Sequence, residues 1–226
     1  MMKHILVIDD NEDVRKIIGY DLLKAGFAVD DAEDGTSGFA LACQRTYDLI
    51  IIDWMMPGMN GLALTRALRA RNIRSVLFML TAKDGDNDLE EAFAAGVDDY
   101  LRKPFSPREL QIRIRKHLQG RPLSEPEDKA ILHYRDLTLD ERSRLFLIAQ
   151  TEIPLTRKEF DLMDHFMRHP ETVLSRNEIL NALWGFDYDG DTRIIDVHAS
   201  KLRGKLTGSQ AQITSSRGIG YILQPR

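Results

Sequence analysis

The first 118 residues alternate short apolar runs with stretches whose apolar residues recur at helical spacing. An apolar run bounded by turn residues is typical of a strand buried on both faces, as in a parallel sheet. Because a crossover helix joins each parallel strand to the next, this alternation predicts a doubly wound, five-stranded parallel α/β domain. The predicted strands cover residues 4–8, 27–29, 47–53, 75–80 and 99–102, and the predicted helices cover 12–25, 36–44, 62–71, 88–95 and 106–118.

The pattern changes after residue 118. Residues 119–130 contain two prolines and a glycine without apolar periodicity, which predicts a linker between a domain at 1–118 and another at 131–226. The second domain is predicted to be α+β, with short alternating strands, three helices and a terminal hairpin. Two of the helices begin with a capping box, Thr156 with Glu159 and Ser175 with Glu178. The predicted strands cover 137–139, 144–148 and 151–155, the third helix 192–206, and the hairpin 213–214 and 221–223.

The third helix of the second domain has one apolar and one basic face. Ile195, Ala199, Leu202 and Leu206 form a stripe predicted to face the core. A basic face with an exposed valine suits the major groove of DNA, where Arg and Lys reach phosphates or guanine and Val meets a thymine methyl. An ordinary basic surface helix is the alternative, and His198 is alternatively a capping or packing residue. Opposite the stripe lie Arg193, Val197, Ser200, Lys201 and Gly204, with His198, Arg203 and Lys205 on the flanks.

Composition narrows the setting of the protein. A length of 226 residues favours two domains, and 43% apolar with 29% charged residues indicates a soluble globular protein. No apolar run approaches a membrane span, the start does not resemble a signal peptide, and the single cysteine, Cys43, cannot form an internal disulfide. We therefore expect a cytoplasmic location with Cys43 as a small core residue. The net charge is -4, yet the segment from Thr192 onward is mainly basic and could face a polyanion.

Polar residues follow four of the predicted parallel strands at the same edge of the sheet. In open parallel sheets, ligands bind beyond the carboxyl ends of the strands. A single Asp there would more often start a turn, but five converging groups indicate a site. Clustered carboxylates favour a hard divalent cation such as Mg²⁺, and with it one carboxylate can accept a phosphoryl group. The five groups are Asp9, Asp10, Asp53, Thr81 and Lys103.

These residues carry a resemblance to a known family. Residues 8–10, 53–61, 81–82 and 98–105 together resemble the receiver domain of two-component response regulators. The resemblance implies that Asp53 is the phosphoacceptor. It also implies that Mg²⁺ or Mn²⁺ is bound by Asp10, Asp53 and the main-chain carbonyl of Met55, with Asp9 acting through water.

The same resemblance assigns roles near the phosphoryl group. Lys103 would contact the phosphoryl group, and its bond to Pro104 would be cis. Thr81 and Tyr100 would be the switch pair, with the threonine hydroxyl moving to the phosphate and the tyrosine ring rotating inward behind it. Alternatively, Tyr100 is an edge-strand aromatic residue that covers apolar surface.

The resemblance further implies a dimer face on the fourth helix, fifth strand and fifth helix. Reciprocal ion pairs across a two-fold axis would form among Asp98 and Asp99 and the charged residues Glu109, Arg113, Arg115 and Lys116 of the fifth helix. The alternative is a solvated charged face, since each exposed pair contributes only about 0–1 kcal/mol. Leu89 stands where the family usually has a basic residue on the fourth helix, which is a departure from the family pattern within the predicted dimer face.

The second domain also resembles a known class. Residues 155–160, 174–176, 183–185, 196–198, 201–203 and 217–221 resemble the winged-helix effector domain of the OmpR/PhoB class. The resemblance implies that the third helix enters the major groove and that Arg217, on the wing, reaches the adjacent minor groove. The loop from Trp184 to Asp191 would contact RNA polymerase. Ser200 and Gly204 replace basic residues of many relatives, which predicts weaker DNA binding.

Together these features predict a phosphorylation-controlled transcription regulator and not a turnover enzyme. A sensor histidine kinase would phosphorylate Asp53, and the resulting homodimer would bind tandem half-sites in double-stranded promoter DNA, with no membrane partner. A constitutive winged-helix regulator with a vestigial receiver is the alternative. A phosphatase of the haloacid-dehalogenase type is a further alternative, but such enzymes carry a second Asp where this chain has Met55.

Overall fold

A five-stranded parallel sheet forms the centre of the N-terminal unit in the computed structural model, which describes residues 2–82, 86–119, 131–185 and 192–226. The chain separates into two compact units, Met1–Gly120 and Arg121–Arg226. In the first unit the strand order is β2-β1-β3-β4-β5, and all neighbours run parallel. The elements are β1 (His4–Ile8), α1 (Glu12–Lys24), β2 (Ala28–Ala32), α2 (Gly35–Gln44), β3 (Leu49–Asp53), α3 (Gly61–Ala70), β4 (Val76–Thr81), α4 (Asp86–Ala95), β5 (Asp99–Arg102) and α5 (Pro107–Gln119).

The sheet of this unit is covered on both faces, which confirms the predicted doubly wound fold. Alternate residues of a strand face opposite sides. Ile5 and Val7 of β1 pack in a cluster that includes Ile114 of α5, whereas Leu6 and Ile8 pack in a second cluster with residues of α2 and α3. Because these strands are buried on both faces, their polar groups gather at the carboxyl ends of the strands.

Two details of this unit differ from the prediction. Strand β2 extends to Ala32, because its acidic residues find partners at the sheet edge: Asp30 accepts a hydrogen bond from the Tyr47 hydroxyl at 2.7 Å, and Asp31 pairs with Arg15 at 3.0 Å. The prediction of Cys43 as a core residue is wrong. It lies exposed on α2, where the neighbouring Ala42 is buried instead.

The second unit joins a four-stranded antiparallel sheet to three helices and a three-stranded sheet. The order of the first sheet is β6-β7-β8-β9, and that of the second is β10-β12-β11. Both predicted capping boxes are present, at Thr156 and Ser175. The elements are β6 (Ile131–Tyr134), β7 (Leu137–Asp140), β8 (Leu145–Ile148), β9 (Thr151–Glu152), α6 (Arg157–Arg168), β10 (Leu174–Ser175), α7 (Arg176–Trp184), α8 (Arg193–Lys205), β11 (Ala211–Ser216) and β12 (Gly220–Pro225).

Helix α8 buries the predicted stripe. Ile195, Ala199, Leu202 and Leu206 are all buried, so the opposite face of the helix is turned outward. The predicted α+β fold of this unit is therefore confirmed. The boundaries at 118 and 131 stay predictions, because residues 120–130 lie outside the described residues. Within the described ranges, no helix combines the length and apolar character needed to cross a bilayer.

Candidate functional site

Charged side chains from the ends of three strands meet in one pocket at the carboxyl edge of the five-stranded parallel sheet. Asp53 ends β3 and is 5% exposed, while Asp9 follows β1 and is 1% exposed. Lys103 follows β5, and its Nζ lies 2.9 Å from Asp9 Oδ2 and 2.5 Å from Asp53 Oδ1. The structure therefore brings together residues that are up to 94 positions apart in the chain.

The electrostatics of this pocket favour a charged lysine. Burial raises the pKa of the Asp53 carboxyl above its ordinary value, and the bond and charge of Lys103 offset this only in part. Burial alone would lower the pKa of Lys103, but its bonds to Asp53 and Asp9 outweigh burial and raise that pKa. Asp53 Oδ2 also accepts the main-chain N–H of Met55 at 2.7 Å. Lys103 thus keeps its proton at neutral pH, where it can pair with an anion.

The predicted metal ligands are only partly assembled. Two buried carboxylates share one ammonium, and this excess of negative oxygen ligands fits a hard divalent cation. Asp10, the residue after Asp9, is exposed. Across the ranges that the structure describes, no three metal-ligating side chains form a group that could hold an ion.

The two residues of the predicted switch pair lie on neighbouring strands. Thr81 is buried at the end of β4, and its carbonyl accepts the N–H of Lys103 at 2.7 Å. Tyr100 is buried on β5 and packs edge-on against Phe93, with 5.6 Å between ring centroids. The tyrosine ring therefore covers apolar surface in this state, as the alternative described. The peptide bond between Lys103 and Pro104 is cis, as the resemblance implied.

Arg15 is a supporting residue of this pocket that the sequence pattern did not indicate. Its Nη1 donates to the carbonyl of Asp9 at 2.8 Å, and its Nε pairs with Asp31 at 3.0 Å. The N–H of Asn11 donates to Asp9 Oδ1 at 2.9 Å. These bonds fix the turn after β1. The sequence signal for this role was an arginine in the first turn of the predicted helix, five positions after Asp10.

The predicted dimer face needs correction at Asp98 and Asp99. Asp98 is 0% exposed and accepts hydrogen bonds from Arg69 Nη2 at 2.6 Å and from the N–H of Leu77 at 2.8 Å. Asp99 is also buried, with its Oδ2 2.7 Å from His117 Nε2. Both carboxylates thus find partners inside the protomer and do not lie on an exposed face.

The other half of the predicted dimer face remains near the surface. Arg113 Nη2 donates to the partly exposed Glu109 at 3.2 Å, and Arg113 Nη1 lies 3.6 Å from Asp99. The side chain of Leu89, where this chain departs from the family pattern, lies outside the described residues. A dimer through this face would therefore use Glu109 and Arg113 without free carboxylates from Asp98 and Asp99.

Most of the predicted DNA-binding residues lie at the surface of the second unit. Arg193 and Ser200 are exposed on α8, Val197 and Lys201 are half-buried on the same helix, and Arg217 is exposed at the turn between β11 and β12. This arrangement presents a basic helix face and a separate basic turn.

His198 does not belong to this exposed face. It is 1% exposed, and its ring lies 5.6 Å from that of Trp184. The structure therefore places His198 as a packing residue, as the alternative described. Residues 186–191, which make up most of the predicted RNA polymerase loop, lie outside the described residues.

Two basic residues of the helix bind within the unit. Arg203 is exposed, but its Nε donates to the carbonyl of Ile213 at 2.9 Å. Lys205 Nζ donates to Glu159 Oε2 and to the carbonyl of Pro154, both at 2.6 Å. Burial favours a raised pKa for Glu159, yet the charge and bond of Lys205 lower that pKa below its ordinary value. Lys205 therefore holds α8 against α6.

A further cluster connects α7, α8 and the hairpin. Asp196 Oδ1 accepts hydrogen bonds from Arg176 Nε at 2.8 Å and from the Tyr221 hydroxyl at 2.6 Å. The Arg176 guanidinium lies 5.2 Å from the centre of the Tyr221 ring. Burial and the bond to Asp196 raise the pKa of Tyr221 to about 12, so its hydroxyl remains a donor at neutral pH. The hairpin is thus fixed relative to the basic helix.

Comparisons with known proteins agree with both units. A family model described as "Response regulator receiver domain" matches residues 5–115, and one described as "Transcriptional regulatory protein, C terminal" matches residues 150–223. The alkaline phosphatase synthesis transcriptional regulatory protein PhoP of Bacillus subtilis is 36% identical, with 99% of this chain and 98% of that protein covered. Transcriptional regulatory protein ResD of Bacillus subtilis is 33% identical, with 96% and 94% covered.

Solved structures agree as well. A C128D mutant of RitR matches with a TM-score of 0.76 and 28% identity, covering 99% of this chain and 100% of that one. The response regulator DrrB of Thermotoga maritima, described as an OmpR/PhoB homolog, matches with a TM-score of 0.52 and 23% identity over 99% of this chain and 100% of that one, a likeness of fold alone.

Proposed function

Because the chain belongs to the response regulators that join a receiver domain to a C-terminal DNA-binding domain of the OmpR/PhoB type, we propose that phosphorylation of Asp53 by a sensor histidine kinase controls its binding to DNA. The observation that carries this proposal is the contact of Lys103 Nζ with both Asp9 and Asp53. It supports a pocket in which a buried carboxylate can accept a phosphoryl group.

Phosphoryl transfer follows from the chemistry of the pocket. An oxygen of Asp53 attacks the phosphorus of the kinase phosphohistidine while the P–N bond breaks, and the electron pair leaves with the imidazole. The product is an acyl phosphate on Asp53. The raised pKa of Lys103 keeps its ammonium charged. After transfer, this ammonium would pair with the phosphoryl oxygens instead of with the oxygens of the free Asp53 carboxylate. Asp10, Asp53 and the Met55 carbonyl, with Asp9 through water, would hold Mg²⁺, which when bound supplies neutralisation of the phosphoryl charge.

The response to phosphorylation would pass through the switch pair. We expect the Thr81 hydroxyl to turn toward the phosphoryl group and Tyr100 to repack in the space behind it. Tyr100 already packs against Phe93 of α4, so this change would reach the face that includes Glu109 and Arg113. A homodimer formed through that face would bring together two DNA-binding units.

The DNA-binding surface proposed here consists of α8 and the hairpin turn. Helix α8 would enter the major groove with Arg193, Val197, Ser200, Lys201 and Arg203, and Arg217 would reach the adjacent minor groove. Two units would occupy tandem half-sites roughly 10 base pairs apart in promoter DNA. RNA polymerase would contact the loop from Trp184 to Asp191. We expect the protein to act in the cytoplasm and to have no turnover activity.

Phosphorylation can be tested on the intact protein. With Mg²⁺ and acetyl phosphate, we expect mass spectrometry to find one added phosphoryl group on the wild type and none on Asp53→Asn. The matched control is Asp48→Asn, which removes a carboxylate at the opposite end of β3 and should still be modified. An unmodified wild type under these conditions would contradict the proposal.

A constitutive regulator with a vestigial receiver is the second candidate. The burial of Asp98 and Asp99 favours it, because these carboxylates are not available for ion pairs between receivers. Sizing the protein with and without beryllofluoride separates the two candidates. A shift from monomer to dimer supports phosphorylation control, whereas an unchanged monomer that binds promoter DNA supports the constitutive regulator.

A further inference from the structure

The turn between β11 and β12 presents an apolar side chain beside its basic one. Ile219 is 54% exposed, and Arg217, two positions earlier on the same turn, is exposed as well. Single exposed apolar residues are common on protein surfaces and carry no meaning alone. The position of Ile219 matters because its main chain is held by hydrogen bonds, and further hydrogen bonds connect the hairpin to the proposed DNA-binding helix α8.

The main chain of Ile219 is held on both sides. Its N–H donates to the carbonyl of Ser216 at 3.1 Å, and its carbonyl accepts the N–H of Arg176 at 3.2 Å. Gly218 adopts the left-handed region with φ +73°, which favours glycine. A Cβ at Gly220 would collide with the carbonyl of Leu174, so the hairpin lies directly against β10. The exposed side chain therefore projects from a fixed main chain.

The turn is also fixed relative to α8. The N–H of Arg176 donates to the Ile219 carbonyl, and the Arg176 side chain pairs with Asp196 of α8. Asp196 also accepts a hydrogen bond from the hydroxyl of Tyr221, which lies on β12 just after the turn. The hairpin that carries Ile219 and Arg217 is therefore held in a fixed position relative to α8, the helix that exposes Arg193 and Ser200. The exposed basic residues of this surface favour a polyanion as that ligand.

We propose that Ile219 enters the DNA minor groove beside Arg217 and selects A·T pairs there. This inference rests on the proposed DNA binding. In the minor groove, G·C pairs present the guanine 2-amino group, which A·T pairs lack. An isoleucine packed on the groove floor would bury that amino group without a hydrogen-bond partner, whereas it meets A·T pairs without this cost. Ile219 is thus a specificity-determining residue, distinct from Arg217, which binds through charge.

The test uses the full-length protein with beryllofluoride and a duplex selected from random-sequence DNA. We expect Ile219→Ser to weaken binding about five- to tenfold, the loss from exposing a partly buried isoleucine. The dependence on salt should stay unchanged. Arg217→Ala should instead reduce the slope of log affinity against log salt by about 0.9. Ile131→Ser is the matched control, because Ile131 is 57% exposed on β6 of the same unit and should bind as the wild type.

Inosine isolates the groove contact. The base pairs to change are those whose minor groove is protected from hydroxyl radicals by the wild type but not by Arg217→Ala. Each A·T pair there is replaced by G·C or by inosine·C, and inosine lacks the 2-amino group of guanine. The wild type should lose about tenfold with G·C and regain most of the affinity with inosine·C. Ile219→Ser should no longer distinguish guanine from inosine.

Three outcomes would overturn the inference. Equal binding by Ile219→Ser and the wild type, or equal binding of guanine and inosine duplexes by the wild type, removes the role of Ile219 and leaves the proposed function intact. If the wild type selects no duplex at all, the proposed DNA binding fails, and this inference fails with it. Thermal unfolding of each variant provides the folding control, since the exposed side chain should not alter stability.

Discussion

Replacing Lys103 with methionine should destabilise the receiver unit by leaving two buried carboxylates without their shared cation. Methionine has a similar length, so the change removes charge without a large cavity. Lys103 makes two charge-assisted hydrogen bonds, each worth about 1.5–3 kcal/mol, and removing one partner of a buried ion pair costs about 3–5 kcal/mol. Because the Lys103 side chain is 29% exposed, water screens part of this, and we expect about 3 kcal/mol.

Native-state hydrogen exchange measures this loss in one unit at a time. A change of about 3 kcal/mol corresponds to about a hundredfold faster exchange of the most protected amides of β1 and β3. Amides of β11 and β12 in the other unit should exchange as before. Mg²⁺ should reduce the difference from the wild type, because an ion that binds only the folded state stabilises it and replaces the lost positive charge.

Lys3→Met is the matched control. Lys3 also pairs with an aspartate across the first and third strands, at 2.7 Å from Asp48, but its side chain is 43% exposed. Exposed pairs contribute about 0–1 kcal/mol, so exchange should change less than tenfold. Acid should also reduce the loss of stability caused by Lys103→Met. The pKa of Asp53 is raised, so Asp53 takes up a proton as the pH falls, and protonation relieves its repulsion from Asp9. Equal protection in Lys103→Met and the wild type at neutral pH without Mg²⁺ would refute this reasoning.

Three further predictions concern other parts of the molecule. The pKa of Glu159 is lowered, so its ionised form stabilises the second unit above its ordinary pKa near 4.5; we expect thermal stability to fall as the pH drops below that value and Glu159→Gln to flatten the dependence. An equally steep dependence in the variant would contradict this. Asp98→Asn should cost the receiver about 2 kcal/mol in urea unfolding yet permit the beryllofluoride dimer, whereas Glu109→Lys should weaken that dimer and cost no more than about 1 kcal/mol, because it removes only the partly exposed pair with Arg113. If Asp98→Asn abolished the dimer and Glu109→Lys left it intact, Asp98 would belong to the dimer face after all. Gly204→Ala should stabilise the second unit by about 1 kcal/mol, because a Cβ there meets nothing within 4 Å; a lower unfolding midpoint would count against it.

The parallel sheet was predictable because its strands are nearly continuous apolar runs that few other structures could bury. Residues Leu49 to Ile52 are all 0% exposed, as expected for a central strand covered on both faces. Once the strands are parallel, their carboxyl ends must share an edge, so the meeting of Asp9, Asp53 and Lys103 followed from the pattern. Helix ends were predictable where a side chain caps them, as at Thr156.

The errors arose where the environment of a side chain depends on distant residues. The family resemblance placed Asp98 and Asp99 on a dimer face, but Asp98 pairs with Arg69, which is 29 residues away on α3. His198 likewise lies on the edge of a basic helix face and is buried by Trp184 of the preceding helix. Strand β10 is only two residues long, too short for any periodicity to reveal it. Local patterns do not encode such long-range partners.

The guanidinium of Arg69 anchors the end of the receiver sheet that lies away from the acidic pocket. It donates to the carbonyls of Ile73, Ser75 and Gly96 as well as to Asp98, which in turn accepts the N–H of Leu77 near the start of β4. Strand β4 is therefore held in place at its first residues by Arg69 and Asp98. Its last residue, Thr81, lies beside Lys103. If phosphorylation moves Thr81, we expect the movement to be confined to the last residues of β4, which pair with the part of β5 that carries Tyr100.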